Sequence, residues 1–252
     1  MPSEKSAAIV IRVIDWSESS NVVTLFTRDF GKITALAKGG RRPKGPFESA
    51  LDLLAGCRIV FLHKSTEALD LLTEAKLMRR FRGAEQGLAP LYAGYYLAEL
   101  LRELTEEGDP HPELFDASEE IIQVLSSTKA PVARLVLQFE IIALRLLGHL
   151  PRLTHCVETG VPVTASGTVA FGILSGGVLS PEVAQQRSRV TRVRNSSLKI
   201  IEQFAQDVNA WKTITLDSQS LGELRNLFNQ YIQHLLGKKP RMHDHLRLLS
   251  QQ

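Results

Sequence analysis

The sequence predicts an α+β protein in which a small five-stranded barrel precedes a helical region. The first eighty residues alternate between apolar and polar side chains, which is typical of strands. From Pro90 onward the apolar residues recur at helical spacing, and a Gly-, Thr- and Val-rich stretch at 151–183 interrupts that spacing. We therefore expect a boundary near residue 80, with a barrel domain at 1–80 and a helical domain at 81–252.

The alternating region contains five short candidate strands. They span 7–15, 21–27, 31–38, 57–63 and 68–76. In the first, Ile9, Ile11 and Val13 are predicted to share one face, with Arg12 on the other. Five short strands joined by tight turns suggest a small barrel or a sandwich. The compact five-stranded solution is the OB-fold, whose open face binds oligonucleotides.

The helical region contains five candidate helices, within 90–107, 108–127, 131–150, 197–211 and 220–237. The third is apolar nearly all round, which is typical of the buried centre of a bundle. The last is predicted to begin with a Ser220–Glu223 capping box and to end at Gly237.

Composition excludes several classes of protein. Of 252 residues, 44% are hydrophobic and 23% charged, which are values of a globular chain. Charged and polar residues break the longest apolar runs, so we expect no membrane span. The first residues offer no long apolar segment of the signal-peptide type. Cys57 and Cys156 are far apart in the sequence and form no disulfide framework, so we expect the protein to reside in the reducing cytoplasm.

Charge is distributed unevenly along the chain. Residues 1–80 carry net charge +4, residues 81–186 carry −7 and residues 187–252 carry +6. Such asymmetry indicates a charged partner. Nucleic acid is the commonest partner of clustered Lys and Arg, but anionic membranes and acidic peptide tails also fit.

A basic loop follows the third candidate strand. Residues 37–48 hold Lys38, Arg41, Arg42 and Lys44, with no acid before Glu48. Their glycines and prolines exclude a helix or a central strand. The loop is either a solvated turn or a flexible finger that binds polyanions. The neighbouring cations Lys32, Arg12 and Arg58 are predicted to form a stripe that leads to it.

Motifs for catalysis are missing from the sequence. There is no phosphate-binding loop of the G-x-x-x-x-G-K-[ST] type and no G-x-G-x-x-G after a strand. Cys57 lies on an apolar strand face and is interpreted as a core residue. His243 and His245 are too few for a stable metal site. We therefore expect no enzyme activity.

The stretch around Cys156 has the layout of a small zinc knuckle. A C-x₂-C…C-x₂-C site would need cysteines at 156, 159, 180 and 183, where the sequence has Cys156, Thr159, Ser180 and Val183. One thiolate cannot form a tetrahedral site, so we expect no zinc and no other cofactor. Apolar packing should hold the loop instead; the expected contributors are Val157, Val169, Phe171, Ile173 and Val178.

Four stretches in order resemble the RecO family of bacterial recombination mediators. They are "TRDFGKITALAKGGRRPKG", "YYLAELLRELTEEGDPHPELF", "LLGHLPRLTHC" and "HLLGKKPRMH". The resemblance covers nearly the whole chain. It implies an N-terminal OB-fold joined to a helical domain, which in many members carries a zinc knuckle; that knuckle is degenerate here.

The resemblance also implies a function without catalysis. RecO-like proteins bind single- and double-stranded DNA and anneal complementary strands without ATP. They associate with RecR, bind the acidic, phenylalanine-ended tail of single-strand-binding protein, and help to load RecA. On this basis the basic loop and the cations beside it are candidate DNA contacts, and Trp16 and Phe30 lie at turns where a base could stack.

A second basic run is either a solvated segment, more DNA surface, or the receptor of the acidic tail. It contains Arg187, Arg189, Arg192, Arg194 and Lys199. The alternative function is a protein–protein adaptor whose basic segments bind acidic partners, with DNA contact secondary. A metal-dependent nuclease would need a carboxylate and histidine cluster that the sequence does not offer.

Overall fold

The chain forms two compact units, Met1–Ala130 and Pro131–Gln252. The computed structural model describes residues 3–42, 45, 47, 50–64, 68–127, 130–163 and 167–251, with the side chains of 247–251 left out. No helix among these residues has both the length and the apolar character needed to cross a membrane. The predicted sequence-domain boundary near residue 80 stays a prediction.

The first unit is built on a closed barrel in the strand order β1-β2-β3-β5-β4. The strands are β1 (Ser3–Asp15), β2 (Asn21–Thr27), β3 (Gly31–Ala37), β4 (Gly56–Leu62) and β5 (Asp70–Arg79). All neighbours are antiparallel except β3 and β5, which pair in parallel over only three residues. The structure thus confirms the α+β class and the predicted OB-fold.

A β-bulge in β1 changes which side chains fill the barrel. The register between β1 and β2 shifts between Val10 and Arg12, because one extra residue of β1 is left without a partner. The interior therefore takes Val10 before the bulge and Val13 after it. The prediction that Ile9, Ile11 and Val13 share one face is wrong. Ile9 and Ile11 are buried outside the barrel core.

Helices of the first unit cover part of the barrel. They are α1 (Gly83–Gln86), α2 (Leu88–Leu104) and α3 (Pro112–Leu125). Proline opens α3, where a missing N–H costs nothing. Phe115 of α3 packs on Phe26 of β2 with ring centroids 6.1 Å apart. Phe26 is fully buried although it lies on the outside of the barrel.

The second unit surrounds an apolar helix. Its elements are α4 (Val132–Leu146), β6 (Thr168–Gly172), β7 (Gly177–Leu179), α5 (Pro181–Gln185), β8 (Val190–Arg194), α6 (Asn195–Gln206), α7 (Ala210–Thr213), α8 (Ser218–Leu236) and a 3₁₀ helix (Arg241–Gln251). Helix α4 is buried on nearly all sides, as predicted. The amide of Gln138, a fully buried residue of α4, donates to the Phe204 carbonyl and accepts a hydrogen bond from the backbone N–H of Trp211.

The last long helix begins earlier than predicted. Its N-cap is Asp217, whose carboxylate accepts a hydrogen bond from the Ser220 N–H, so the Ser220–Glu223 capping box is wrong. The Glu223 carboxylate instead accepts hydrogen bonds from the side chains of Arg194 and Ser197. The predicted end at Gly237 is confirmed, since this residue adopts φ 65° in the left-handed region.

Candidate nucleic-acid interface

One end of the barrel exposes a sheet face made of β1, β2 and β3. Arg12 lies opposite Thr24 and Ile14 opposite Val22, and Val22 lies in turn opposite Leu36. We call these five residues the open face. Their alternation points them away from the interior, and none of them belongs to the barrel core. Arg12 and Ile14 are exposed, Ile14 at 39%, whereas Val22 and Leu36 are half-buried and Thr24 is buried.

Four cations lie on this face or follow it. Arg12 is on the face, Lys38 comes directly after β3, and Arg41 and Arg42 lie in the next loop; all four are exposed. We call them the cationic rim. Lys44, the remaining basic residue of the loop, lies outside the described residues. A cluster of exposed cations beside a partly apolar sheet face suits a polynucleotide, whose backbone is anionic and whose bases are flat and apolar.

The loop of the cationic rim is attached to the turn between β1 and β2. The Arg41 N–H donates to the Ser19 carbonyl at 3.2 Å, and its guanidinium donates to the Ser17 carbonyl at 3.1 Å. The same guanidinium lies 3.4 Å from the Asp15 carboxylate, with both side chains substantially exposed. Such a pair is weak because water screens it. Phosphates can therefore replace Asp15 as the partner of Arg41.

Lys32 is not part of this exposed group. Its ammonium donates to the carbonyl of Arg102 at 2.7 Å and to that of Thr105, at the end of α2. Burial lowers the pKa of Lys32, although Glu106 and Glu107 act in the opposite direction. The predicted stripe from Lys32 to the loop is thus wrong, because its ammonium binds helix carbonyls that periodicity could not place beside it.

The segment after α2 covers the rest of the β3 surface. Thr34 donates to the Glu107 carboxylate at 2.8 Å, and the Gly108 N–H donates to the Lys32 carbonyl. A side chain at Gly31 would meet the Asp109 carbonyl at 2.3 Å, so this close approach requires glycine. Only the part of the face near the cationic rim is therefore open.

Arg58 lies on a different part of the barrel. It is exposed on β4, opposite Ala7 of β1 and Lys76 of β5. Five residues of β1, about 16 Å of strand, separate Ala7 from Arg12. Arg58 thus lies apart from the cationic rim, and its contact with DNA stays a prediction. Arg58 and Lys76 form a separate exposed cationic pair.

The second basic run is divided by its own ion pairs. Arg187 forms a two-pronged contact with Glu158, which raises the pKa of Arg187 and lowers that of Glu158. Arg194 binds Glu223 at 3.0 Å. The exposed cations that remain from this run are Arg189, Arg192 and Lys199. Arg192 lies on β8, a strand that sequence reasoning did not predict, because a run of alternating cations hides the apolar period.

Cys156 lies at the centre of a small apolar cluster. It is fully buried with Ala170 and Leu179, and Val157 and Val183 pack around them. Burial raises the pKa of its thiol, but hydrogen bonds from the Thr159 hydroxyl and from backbone groups outweigh it and lower that pKa to about 7. No group of three or more His, Cys, Asp or Glu among the described residues could hold a metal ion. The degenerate knuckle stays a prediction.

Sequence reasoning missed the apolar part of the open face. Ile14, Val22 and Leu36 lie on the outer side of their strands, and none of them was predicted to be part of a binding surface. A signal was available in β3, where Leu36 is apolar although it lies between Thr34 and Lys38 on the polar side. Apolar residues on both sides of a strand indicate that each side has a surface to contact.

Comparisons with known proteins cover nearly the whole chain. Residues 1–81 match the family model described as "Recombination protein O N terminal", and residues 86–244 match "Recombination protein O C terminal". The chain is 38% identical over 263 residues to the DNA repair protein RecO of Rhodopirellula baltica, covering 95% of this chain and 97% of that protein. It is 30% identical to the DNA repair protein RecO of Anaeromyxobacter dehalogenans, covering 95% and 94%.

Proposed function

The chain belongs to the RecO family and acts in DNA repair and recombination, and we propose that it does so as a mediator without catalytic activity. In this proposal it binds single- and double-stranded DNA and anneals complementary strands without ATP. It works in the cytoplasm with RecR and single-strand-binding protein, and so helps to load RecA. It needs no cofactor.

The observation that carries the proposal is the cationic rim beside the open face. Two DNA strands repel each other through their phosphates. A protein that neutralises part of both backbones lowers that repulsion and releases condensed counterions. Contacts to phosphates carry no sequence information, which suits a protein that must act on any pair of complementary strands. Because the free energy comes from counterion release, nucleotide hydrolysis is not required.

The exposed part of the second basic run is proposed as the contact for the acidic tail of single-strand-binding protein. Arg192 lines one groove and Arg189 lines a second, and Val190 contributes to both. Leu179 lines the groove of Arg192, and Ile173 lines the groove of Arg189. The groove beside Arg192 is lined mainly by apolar residues, among them Val169 and Leu179, which suits a tail that combines carboxylates with a terminal aromatic residue.

A strand-annealing assay tests the proposal. Complementary fluorescent oligonucleotides are mixed without ATP, either bare or coated with single-strand-binding protein. We expect the chain to accelerate pairing in both cases, and the Arg41→Ala/Arg42→Ala variant to slow it. No acceleration of bare strands would contradict the proposal, and cleavage during overnight incubation with magnesium would indicate a nuclease.

Strands coated with single-strand-binding protein distinguish a mediator that anneals DNA from a protein–protein adaptor. Single-strand-binding protein without its tail should abolish acceleration only on coated strands. If the chain binds the tail but neither binds nor anneals bare DNA, it acts as an adaptor.

A further inference from the structure

Trp16 is the most exposed of the large hydrophobic side chains in the described part of the chain, at 66%. It comes directly after β1, two residues beyond the exposed Ile14. Leaving an indole in water has a free-energy cost, because its large apolar surface stays hydrated. An indole in this position is therefore available to a ligand.

The turn that presents Trp16 is ordered by its own backbone. The Trp16 N–H donates to the Ser20 carbonyl at 2.9 Å, and the Ser17 N–H donates to the same carbonyl at 3.2 Å. Arg41 binds this turn through Ser17 and Ser19, as described above. The indole and one cation of the rim are thus held by the same short turn. A rigid turn lowers the entropy lost when a ligand binds.

The charge around Trp16 favours an anionic ligand. The cationic rim supplies four positive charges, and the turn supplies two acids, Asp15 and Glu18. Asp15 already accepts a hydrogen bond from the Asn21 amide and forms an ion pair with Arg41. The apolar pair Ile14 and Val22 of the open face is the next-to-last pair of the β1–β2 register before Trp16. A flat aromatic group with an anionic backbone matches this combination.

We propose that Trp16 stacks on an unpaired nucleobase and thereby makes this interface prefer single-stranded over double-stranded DNA. The inference rests on the proposed DNA-binding function and assigns the strand preference to one residue. Phosphate contacts alone do not separate the two forms, since both are anionic. Base stacking does, because the faces of bases inside a duplex are already covered by their neighbours.

Stacking on Trp16 also has a consequence for annealing. When the bound base pairs with a complementary strand, it joins a new stack and leaves the indole. The single strand is then held more tightly than the duplex product. The interface therefore binds the reactants of annealing and releases the product.

The test compares three ligands of equal length: oligo(dT), the same sugar–phosphate backbone without bases, and a duplex. Trp16→Ala should weaken oligo(dT) binding by about 5- to 150-fold, the range of one base stack. It should change the other two affinities by less than about twofold, because phosphate contacts remain. Trp16→Phe should restore part of the loss, since phenylalanine also stacks.

A spectroscopic measurement reports on the contact itself. The chain has two tryptophans, and Trp211→Phe leaves Trp16 as the sole indole. The Trp211 Nε1 is buried without a hydrogen-bond partner among the described residues, so the substitution removes no such bond. Oligo(dT) should quench the remaining fluorescence, whereas the backbone without bases should not.

The outcomes distinguish this inference from the proposed function. If Arg41→Ala/Arg42→Ala weakens all three ligands but Trp16→Ala weakens none, the stacking inference is wrong and the DNA interface stands. If Trp16→Ala weakens all three ligands equally, the indole supports the turn and does not stack. If neither variant changes any affinity, both the interface and the inference are overturned.

Discussion

The cationic rim makes a quantitative prediction about salt. Each phosphate contact to a single strand contributes about 0.7 to the slope of log K against log salt. Replacing Arg41 and Arg42 by alanine should therefore lower that slope by up to about 1.4, and the affinity at about 0.1 M salt by up to about 25-fold. The pair between Arg41 and Asp15 must be broken for DNA to bind, which makes the loss of affinity smaller by up to about fivefold. Exposed pairs of this kind contribute about 0–1 kcal/mol.

The assay is fluorescence anisotropy of a labelled single strand between about 50 and 300 mM salt. Arg58→Ala/Lys76→Ala is the matched control, because it removes the same number of charges from the exposed pair on β4 and β5. We expect the control to keep the slope of the unmodified chain. Thermal unfolding of both variants checks that the barrel is intact.

Two results would refute the reasoning. Equal loss of slope in both double variants would mean that net charge drives binding, wherever the cations lie. An unchanged slope in the Arg41→Ala/Arg42→Ala variant would mean that DNA binds elsewhere on the chain. The first result would reassign Arg58 to the interface, and the second would remove the cationic rim from it.

Three further predictions concern stability. Lys32→Ala should lower the free energy of unfolding in urea by about 1–3 kcal/mol, because the carbonyls at the end of α2 lose a charged donor; an altered salt slope of DNA binding with unchanged stability would contradict this. Gln138→Leu should lower the free energy of unfolding by about 2–4 kcal/mol, because the buried Phe204 carbonyl loses its donor and the buried backbone N–H of Trp211 loses its acceptor. Cys156 should make stability depend on pH: its folded pKa of about 7 lies below the unfolded value of about 8.5, so its contribution is complete above about pH 8.5 and is lost as the pH falls to about 7. Urea titrations across this range should show the dependence weakened in Cys156→Ser.

Local pattern was sufficient for the barrel strands and the main helices, although not for β8. The second strand was predicted at 21–27 and is observed at Asn21–Thr27, because its β-rich residues are bounded by turns. Gly237 ends α8, since glycine adopts the left-handed conformation without a steric penalty. Helix α4 is buried, because its residues are apolar nearly all round and leave no continuous polar side to expose. The family resemblance was likewise readable, since it consists of ordered motifs.

The sequence by itself determined the five strands, the main helices and the positions of the basic segments, because period and turn residues act over a few positions. Only the tertiary structure decided which cations are exposed. Lys32 binds carbonyls some seventy residues away, and Arg194 binds Glu223, which local spacing had assigned to a cap. The β1 bulge likewise decided which residues form the open face. The physical reason is that a charged side chain takes its partner from whatever the fold brings within a few ångströms, and periodicity does not encode that proximity.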